Sequence, residues 1–273
     1  WEGIEYGDTF HYDPPAPASM LPLDNASGIN TSQELWLPLT DGSGTTATDI
    51  SGNSYTGTAR SSQGWATTLL GTAADNDSLT NGGFTYGDQS GLDMYGDKSF
   101  SLWVKPNGGS ATQVLFEKRS SSGGLEGYSC YVRYNTDSTV GFLADSGSST
   151  TTASSASALV TDVWSNVCVV VSGNNATIYV NGVAGTTVTN ADFAADLSNT
   201  VDFVTGYAQR DPSTQDDFDG SMQNVRVWSR ALTADEVWSI YSNPWLGSNY
   251  KLASGSTPLY NYIFRTERFR RLG

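Results

Sequence analysis

A single histidine, His11, stands in these 273 residues, alongside two cysteines and three methionines. A Ser-His-Asp or Cys-His nucleophilic arrangement would have to use that one imidazole. With no HExxH phrase and no paired CxxC, zinc lacks a ligand set. Positive charge is also scarce, 14 Lys and Arg against 28 Asp and Glu, for a net −14. An acidic body of this kind repels nucleic acid and anionic membrane surfaces, so neither is an expected partner. No run of about 18 apolar residues occurs, so no membrane-spanning helix is expected. The chain opens at Trp1 without the apolar core of a signal peptide, which reads as a processed or trimmed start and leaves export undecided.

What is abundant points to β structure. Eight Trp, fourteen Tyr and ten Phe, with 38% hydrophobic residues overall, are ample for one large core, while only 15% of residues are charged. In SFSLWVKP, Phe100, Leu102 and Val104 share one face and Ser101, Trp103 and Lys105 the other, the period-2 pattern of a half-buried strand. In ATIYVNGV, Ile178 and Val180 oppose Thr177 and Tyr179, and Asn181-Gly182 supplies a tight hairpin turn. Further strands are predicted at 112–119, 127–135, 139–145, 165–172, 201–208 and 221–229, joined by Gly/Ser/Thr-rich loops such as GSSTTTASSAS (147–157). One helix is predicted over 234–242. Thr233 and Glu236 have the spacing of a capping box, Leu232 and Val237 that of a hydrophobic staple, and Pro244 stops the helix.

The flanks differ in kind. Residues 1–32 carry the proline-rich HYDPPAPASMLPLD and read as an extended arm, and residues 244–273 form a second arm ending in YNYIFRTERFRRLG. That second arm holds five cationic residues and one acidic one, whereas the preceding 243 residues are net −18. Arg265, Arg268, Arg270 and Arg271 offer bidentate contacts to carboxylates, and Phe264 and Phe269, with Tyr260 and Tyr262, offer apolar anchors. They are the expected partner-binding residues.

Four phrases, LWLPLTDGSGTTATDISGNSYTGTA (35–59), SFSLWVKP (99–106), WSNVCVVVSGNNATIYVNGV (164–183) and FDGSMQNVRVWSRALTADEVWSIY (218–241), occur in the order and at the intervals of a known family. The chain resembles laminin-G-like members of the concanavalin A-like lectin/glucanase superfamily over residues 33–243. The resemblance implies an all-β fold, an antiparallel two-sheet jelly-roll sandwich, here with one short C-terminal helix and extended N- and C-terminal arms. The NPW phrase (243–245) and short basic tail further resemble proteins of bacteriophage virions. That implies a non-enzymatic structural protein on the virion surface, anchored on other coat or assembly proteins by its arms. The alternative is a secreted or cell-surface lectin module that binds surface glycans, in an extracellular setting.

Glucanases of the superfamily carry an ExDxE strand triplet, and none is present; Glu117 and Glu126 stand singly, and Glu117 beside Lys118 and Arg119 reads as solvated charge. No enzyme is expected. The DISGN phrase gathers Asp49, Ser51 and Asn53 in a glycine-containing loop suited to calcium. In the resembling family this loop pairs with acidic residues of the closing strand, where this chain has Gln223 and Asn224. Asp49, Asn53 and Gln223 are therefore the expected ligands of a weak structural calcium, with a metal-free loop as the other reading. Asp216, Asp217 and Asp219 lack EF-hand spacing and read as a solvated loop. Trp103, Tyr131, Tyr179 and Trp228 are candidate sugar platforms or core residues, and no glycan groove can be assembled from them by sequence. Cys130 and Cys168 lie in apparent strands, either as two buried free thiols or as one bridge.

Overall fold

Alternation of side chains decides most of the strands. The structure, a computed structural model, describes residues 28–61, 63–68, 71–76, 82–120, 126–209 and 216–247. Among them the chain forms β1 (Gln33–Leu37), β2 (Thr46–Ala47), β3 (Gly57–Ala59), β4 (Gly64–Thr68), β5 (Gly71–Asp75), β6 (Phe84–Thr85), β7 (Lys98–Pro106), β8 (Thr112–Arg119) and β9 (Gly127–Arg133). Then follow β10 (Thr139–Asp145), β11 (Thr150–Ala158), β12 (Ser165–Ser172), β13 (Asn175–Val180), β14 (Val183–Ala184), β15 (Val188–Thr189), β16 (Val204–Thr205), β17 (Gly220–Trp228) and one helix, α1 (Ala234–Ser242).

Two antiparallel sheets result, as a jelly-roll sandwich requires. The first runs β14-β13-β12-β7-β17-β5-β4, with β1 on β17 and β15 on β13; the second runs β11-β10-β9-β8-β16-β6-β3-β2. Phe100, Leu102 and Val104 of β7 and Val167, Val169 and Val171 of β12 face Cys130 and Val132 of β9 and Val140, Phe142 and Ala144 of β10 across the core. Phe100 and Phe116 stack with ring centroids 4.8 Å apart, and Tyr128, Phe142 and Phe203 pack around them. Burying each such ring contributes about 2–3 kcal/mol.

A second cluster of buried residues lies on the outward side of the first sheet. Cys168, Val170 and Trp228 meet Ile29 and, from α1 and its approach, Leu232, Val237 and Ile240. Both cysteines are free and buried, Cys130 in the central core and Cys168 beneath the helix, so the bridged reading is excluded. Burial raises both thiols well above their usual range. The helix starts as its sequence predicts: the Thr233 hydroxyl accepts from Glu236 N at 3.2 Å while Glu236 Oε2 accepts from Thr233 N at 2.8 Å.

Two segments depart from the sequence reading. Residues 150–158, expected within a loop, form the edge strand β11, where Ala153 pairs with Phe142 and faces the core while its Thr and Ser neighbours meet solvent. Thr is a good strand former, and a polar strand suits an edge. Conversely, only Val204–Thr205 of the expected strand 201–208 pairs with its neighbours.

The two ends of the folded body are clasped together on β17. Asn224 sits at a bulge with φ 53°, and beyond it Arg226 and Trp228 point outward. The Arg226 guanidinium lies between the Trp36 and Trp228 rings, 4.0 and 4.7 Å from their centroids. It donates to Leu246 O at 3.0 Å and Asn30 Oδ1 at 3.2 Å, while Trp228 Nε1 donates to Ile29 O at 2.7 Å. Asn30 Nδ2 donates to Gly247 O at 2.8 Å and Asn224 Nδ2 to Pro244 O at 2.5 Å. Burial pushes Arg226 down to about 9. Residues 28–32 and 244–247, read from sequence as the inner ends of the arms, are thus bonded into the body.

Candidate functional site

The outward face of the second sheet carries a groove. Its floor comes from strand alternation: with Tyr128, Cys130 and Val132 turned inward, Ser129, Tyr131 and Arg133 of β9 must point out. The same logic turns Gly141, Leu143 and Asp145 of β10, which pair with Tyr131, Ser129 and Gly127, to this side of the sheet, where Leu143 lines the groove. Thr112, Val114 and Arg119 of β8 and Asn135 and Thr136 of the β9–β10 turn complete the lining of a cavity of about 280 Å³.

Tyr131 lies across Gly141. A Cβ placed on Gly141 would come within 2.7 Å of the tyrosine ring, a distance real side chains do not tolerate. The glycine therefore leaves room for the half-buried Tyr131 ring to lie across it, on a groove that Arg119 and Arg133 also line. At one end Arg119 Nη2 meets Asp145 Oδ2 at 2.5 Å, and both side chains are buried. At the other, Arg133 Nη2 meets Asp137 Oδ2 at 3.3 Å, and Arg133 Nε donates to Thr139 Oγ1 at 3.2 Å. Asp137 Oδ1 accepts from the Thr139 hydroxyl at 2.7 Å and the Thr139 amide at 3.1 Å, and these bonds hold its carboxyl below the usual range. An apolar ring flanked by fixed planar donors is the chemistry that receives sugar rings and hydroxyls. No carboxylate lines this groove, and Asp145 and Asp137 at its borders are each ion-paired. Most glycosidases place two carboxyl groups about one bond.

The other candidate platforms pack against the body. Trp103 points out of the first sheet but stacks under Tyr241 of α1 at 5.8 Å, Trp228 is fully buried in the clasp, and the half-buried Tyr179 packs against the cluster beneath the helix. Of the four, Tyr131 lines the groove over β8, β9 and β10. What sequence lacked was the pairing of Gly141 with Tyr131, a contact set by register between two strands.

The Asp49 loop is organised by hydrogen bonds. Asp49 Oδ1 accepts from Trp36 N at 3.0 Å and Ser51 N at 2.9 Å, and Oδ2 accepts from Ser51 Oγ at 2.8 Å and Tyr55 N at 2.9 Å. Four donors fill the lone-pair sites of a carboxylate. Asn53 joins the same loop, its Nδ2 donating to Glu34 O at 2.8 Å. Gln223 Nε2 donates to Thr72 O at 2.7 Å, and the neighbouring Asn224 accepts from Trp36 Nε1. Of the three expected calcium ligands, Asp49 and Asn53 thus share one hydrogen-bonded loop, and Gln223 lies on β17. Among the described residues no three His, Cys, Asp or Glu side chains group to hold a metal ion.

Charges read as solvated prove to be interior. Glu117 and Lys118 are fully buried and Arg119 nearly so. Lys118 Nζ sits 2.9 Å from each of Asp88 Oδ1, Asp93 Oδ1, Asn199 O and Val201 O, and Glu117 Oε1 accepts from Gln209 N at 3.0 Å. A buried charge needs such partners. Asp217 pairs with Arg60 at 3.4 Å while Asp219 accepts from Asn107 Nδ2 at 2.9 Å, so these carboxylates turn to different partners. His11 and the tail residues Phe264, Arg265, Arg268, Phe269, Arg270 and Arg271 lie outside the described residues.

Comparison with known proteins agrees with this architecture. A laminin G family model, Laminin_G_3, described as concanavalin A-like lectin/glucanases superfamily, matches residues 79–238. No curated protein matches the chain. Domain 4 of AbnA, a GH43 extracellular arabinanase from Geobacillus stearothermophilus solved with arabinotriose, superposes with a TM-score of 0.61 at 21% identity, over 77% of this chain and 98% of that one. The binding domain of Paraclostridial Mosquitocidal Protein 1 gives 0.64 at 12% identity, over 80% of this chain and 53% of that one. The botulinum neurotoxin serotype D ligand-binding domain, in complex with N-acetylneuraminic acid, gives 0.60 at 13% identity, over 82% and 53%. The chain thus spans about half of each of these toxin chains. Likeness at such identity is likeness of fold. The family model covers more than half of the chain, and the two-sheet sandwich is the one it describes: the chain belongs to the concanavalin A-like lectin/glucanases superfamily.

Proposed function

We propose that this protein is a carbohydrate-binding module without hydrolytic activity, and that its sugar site is the groove over β8, β9 and β10. The observation that carries the reading is the Tyr131 ring packed across Gly141 in a groove also lined by Arg119 and Arg133, each paired with an aspartate. Support comes from relatives in fold whose solved complexes hold arabinotriose and N-acetylneuraminic acid. The test is Tyr131→Ala. Removing the ring is expected to weaken oligosaccharide binding at least about tenfold, a change of ~1.4 kcal/mol, with the melting temperature unchanged because the ring is half-exposed. Equal affinity in the variant would move the site elsewhere, and reducing-sugar release from a polysaccharide would overturn the non-enzymatic reading.

The setting we propose is extracellular, on a virion surface in the reading that the NPW phrase and basic tail suggest. One structural feature favours an anchored module: the clasp gathers residues 28–32 and 244–247 on the outward face of the first sheet, whereas the groove opens on the outward face of the second. Both ends of the described body thus lie on the side opposite the groove, so an assembly holding the protein at that side would present the groove outward. Incorporation of the full chain into particles, lost when residues 248–273 are deleted, is the expected result.

A further inference from the structure

We infer that the groove selects neutral oligosaccharides and rejects acidic ones, an inference that rests on the carbohydrate-binding reading above. Two guanidinium groups border Tyr131, and on composition alone they would invite a carboxylate-bearing sugar such as a uronate or sialic acid. Each is already neutralised. Arg119 is ion-paired with Asp145 in a nearly water-free setting, so a ligand carboxylate would have to displace a buried partner. Arg133 faces Asp137, whose carboxylate is fixed in place by the hydroxyl and amide of Thr139 and stays ionised because those bonds hold it below the usual carboxylate range. A ligand anion therefore meets Asp137 before it gains Arg133. The remaining lining groups, Thr112, Ser129, Asn135 and Thr136, are neutral hydroxyls and an amide, matched to sugar hydroxyls. The net charge of −14 adds a repulsive field at longer range.

Paired guanidinium groups still serve a neutral sugar. Held by Asp137, the partly exposed Arg133 presents N–H donors in fixed directions beside the ring platform, and Asp137 at the border can accept from a sugar hydroxyl. Recognition of this kind carries little net charge, so its affinity is expected to change little with salt.

The experiment measures binding of neutral arabinan, xylan and β-glucan oligosaccharides and of acidic sialyl-lactose and oligogalacturonate, for the full chain and for Asp137→Asn. The asparagine keeps an oxygen to accept from Thr139 and removes only the charge opposing an anion at Arg133. Wild-type protein is expected to bind at least one neutral chain, with affinity flat from about 50 to 500 mM salt, and to bind neither acidic probe. Asp137→Asn is expected to gain affinity for an acidic probe by about five- to tenfold, the size of one charge–charge contact at a surface. Tighter binding of an acidic probe by the wild type, or no gain in Asp137→Asn with neutral binding intact, overturns the selection and leaves the groove standing. Absence of binding to every probe overturns the carbohydrate reading, and this inference with it.

Discussion

At the scale of single residues, the site depends on what Gly141 lacks. Its backbone is ordinary strand, so the requirement for glycine is steric, set by the Tyr131 ring that occupies the place of a side chain. Gly141→Ala is expected to fold, because the added methyl meets the far end of a side chain that can turn aside, and to displace the Tyr131 ring. Oligosaccharide affinity should fall about tenfold with a melting temperature near that of the wild type. If the variant binds as well as the wild type, the Tyr131 ring is not the platform. Asp49 teaches the opposite lesson. Its place in a calcium-like phrase was plain, but its four hydrogen bonds show a carboxylate that closes a loop by gathering Trp36 N, Ser51 N, Ser51 Oγ and Tyr55 N. Residue type and spacing could not distinguish a loop hub from a ligand, because both need the same oxygens in the same turn.

At the scale of elements, α1 is the part sequence read most completely. Thr233 and Glu236 exchange the bonds of a capping box, Leu232 and Val237 share one apolar cluster, and Arg230 completes the arrangement with two bonds to the Glu236 carboxylate at 2.7 and 2.9 Å. Thr233→Ala is expected to cost about 1 kcal/mol, read as a lower urea midpoint at unchanged slope. An unmoved midpoint would mean that packing of Val237 and Ile240 alone holds the helix. Strands with strong alternation, such as β7 and β13, were equally legible, since period-2 burial is local. β11 was not: Thr150–Ala158 has one inward residue of note, Ala153, and its membership in the sheet depends on β10 alongside it. The groove shares that limit. Its residues come from three strands and a turn, and only the register of β8, β9 and β10 brings Arg119, Tyr131 and Arg133 onto one face.

At the scale of the whole molecule, pH and chain length probe what holds the body together. Asp137, Asp192, Asp196 and Glu236 all titrate below their usual range, held by Thr139, Ser149, Ser198 and Arg230 respectively. A lowered carboxylate favours the folded state above its unfolded value, so stability is expected to fall as pH drops through about 4 and below. On the alkaline side Tyr86, Tyr128, Cys130 and Cys168 are raised by burial and keep protons that the unfolded chain loses near 9.0 and 10.0, which lowers stability as pH rises. Lys98, pushed down by burial to about 8 from 10.5, and Arg226, pushed down to about 9, act with the opposite sign. Two groups against four leave a net alkaline loss, checked by urea midpoints from pH 4 to 10.5. Chain length tests the clasp. A protein ending at Gly247 retains every bond between β17 and the 244–247 segment, and is expected to melt with the full chain. Ending at Asn243 removes Pro244 O and Leu246 O, leaving Asn224 Nδ2 and Arg226 Nη1 buried without those acceptors. Each lost partner costs ~1–3 kcal/mol, so the shorter protein is expected to lose about 2–6 kcal/mol despite shedding only four further residues. Equal melting of the two would show that the closing segment merely lies on β17. A large difference would show that the NPW phrase belongs to the fold, and that any attachment by the tail begins beyond it.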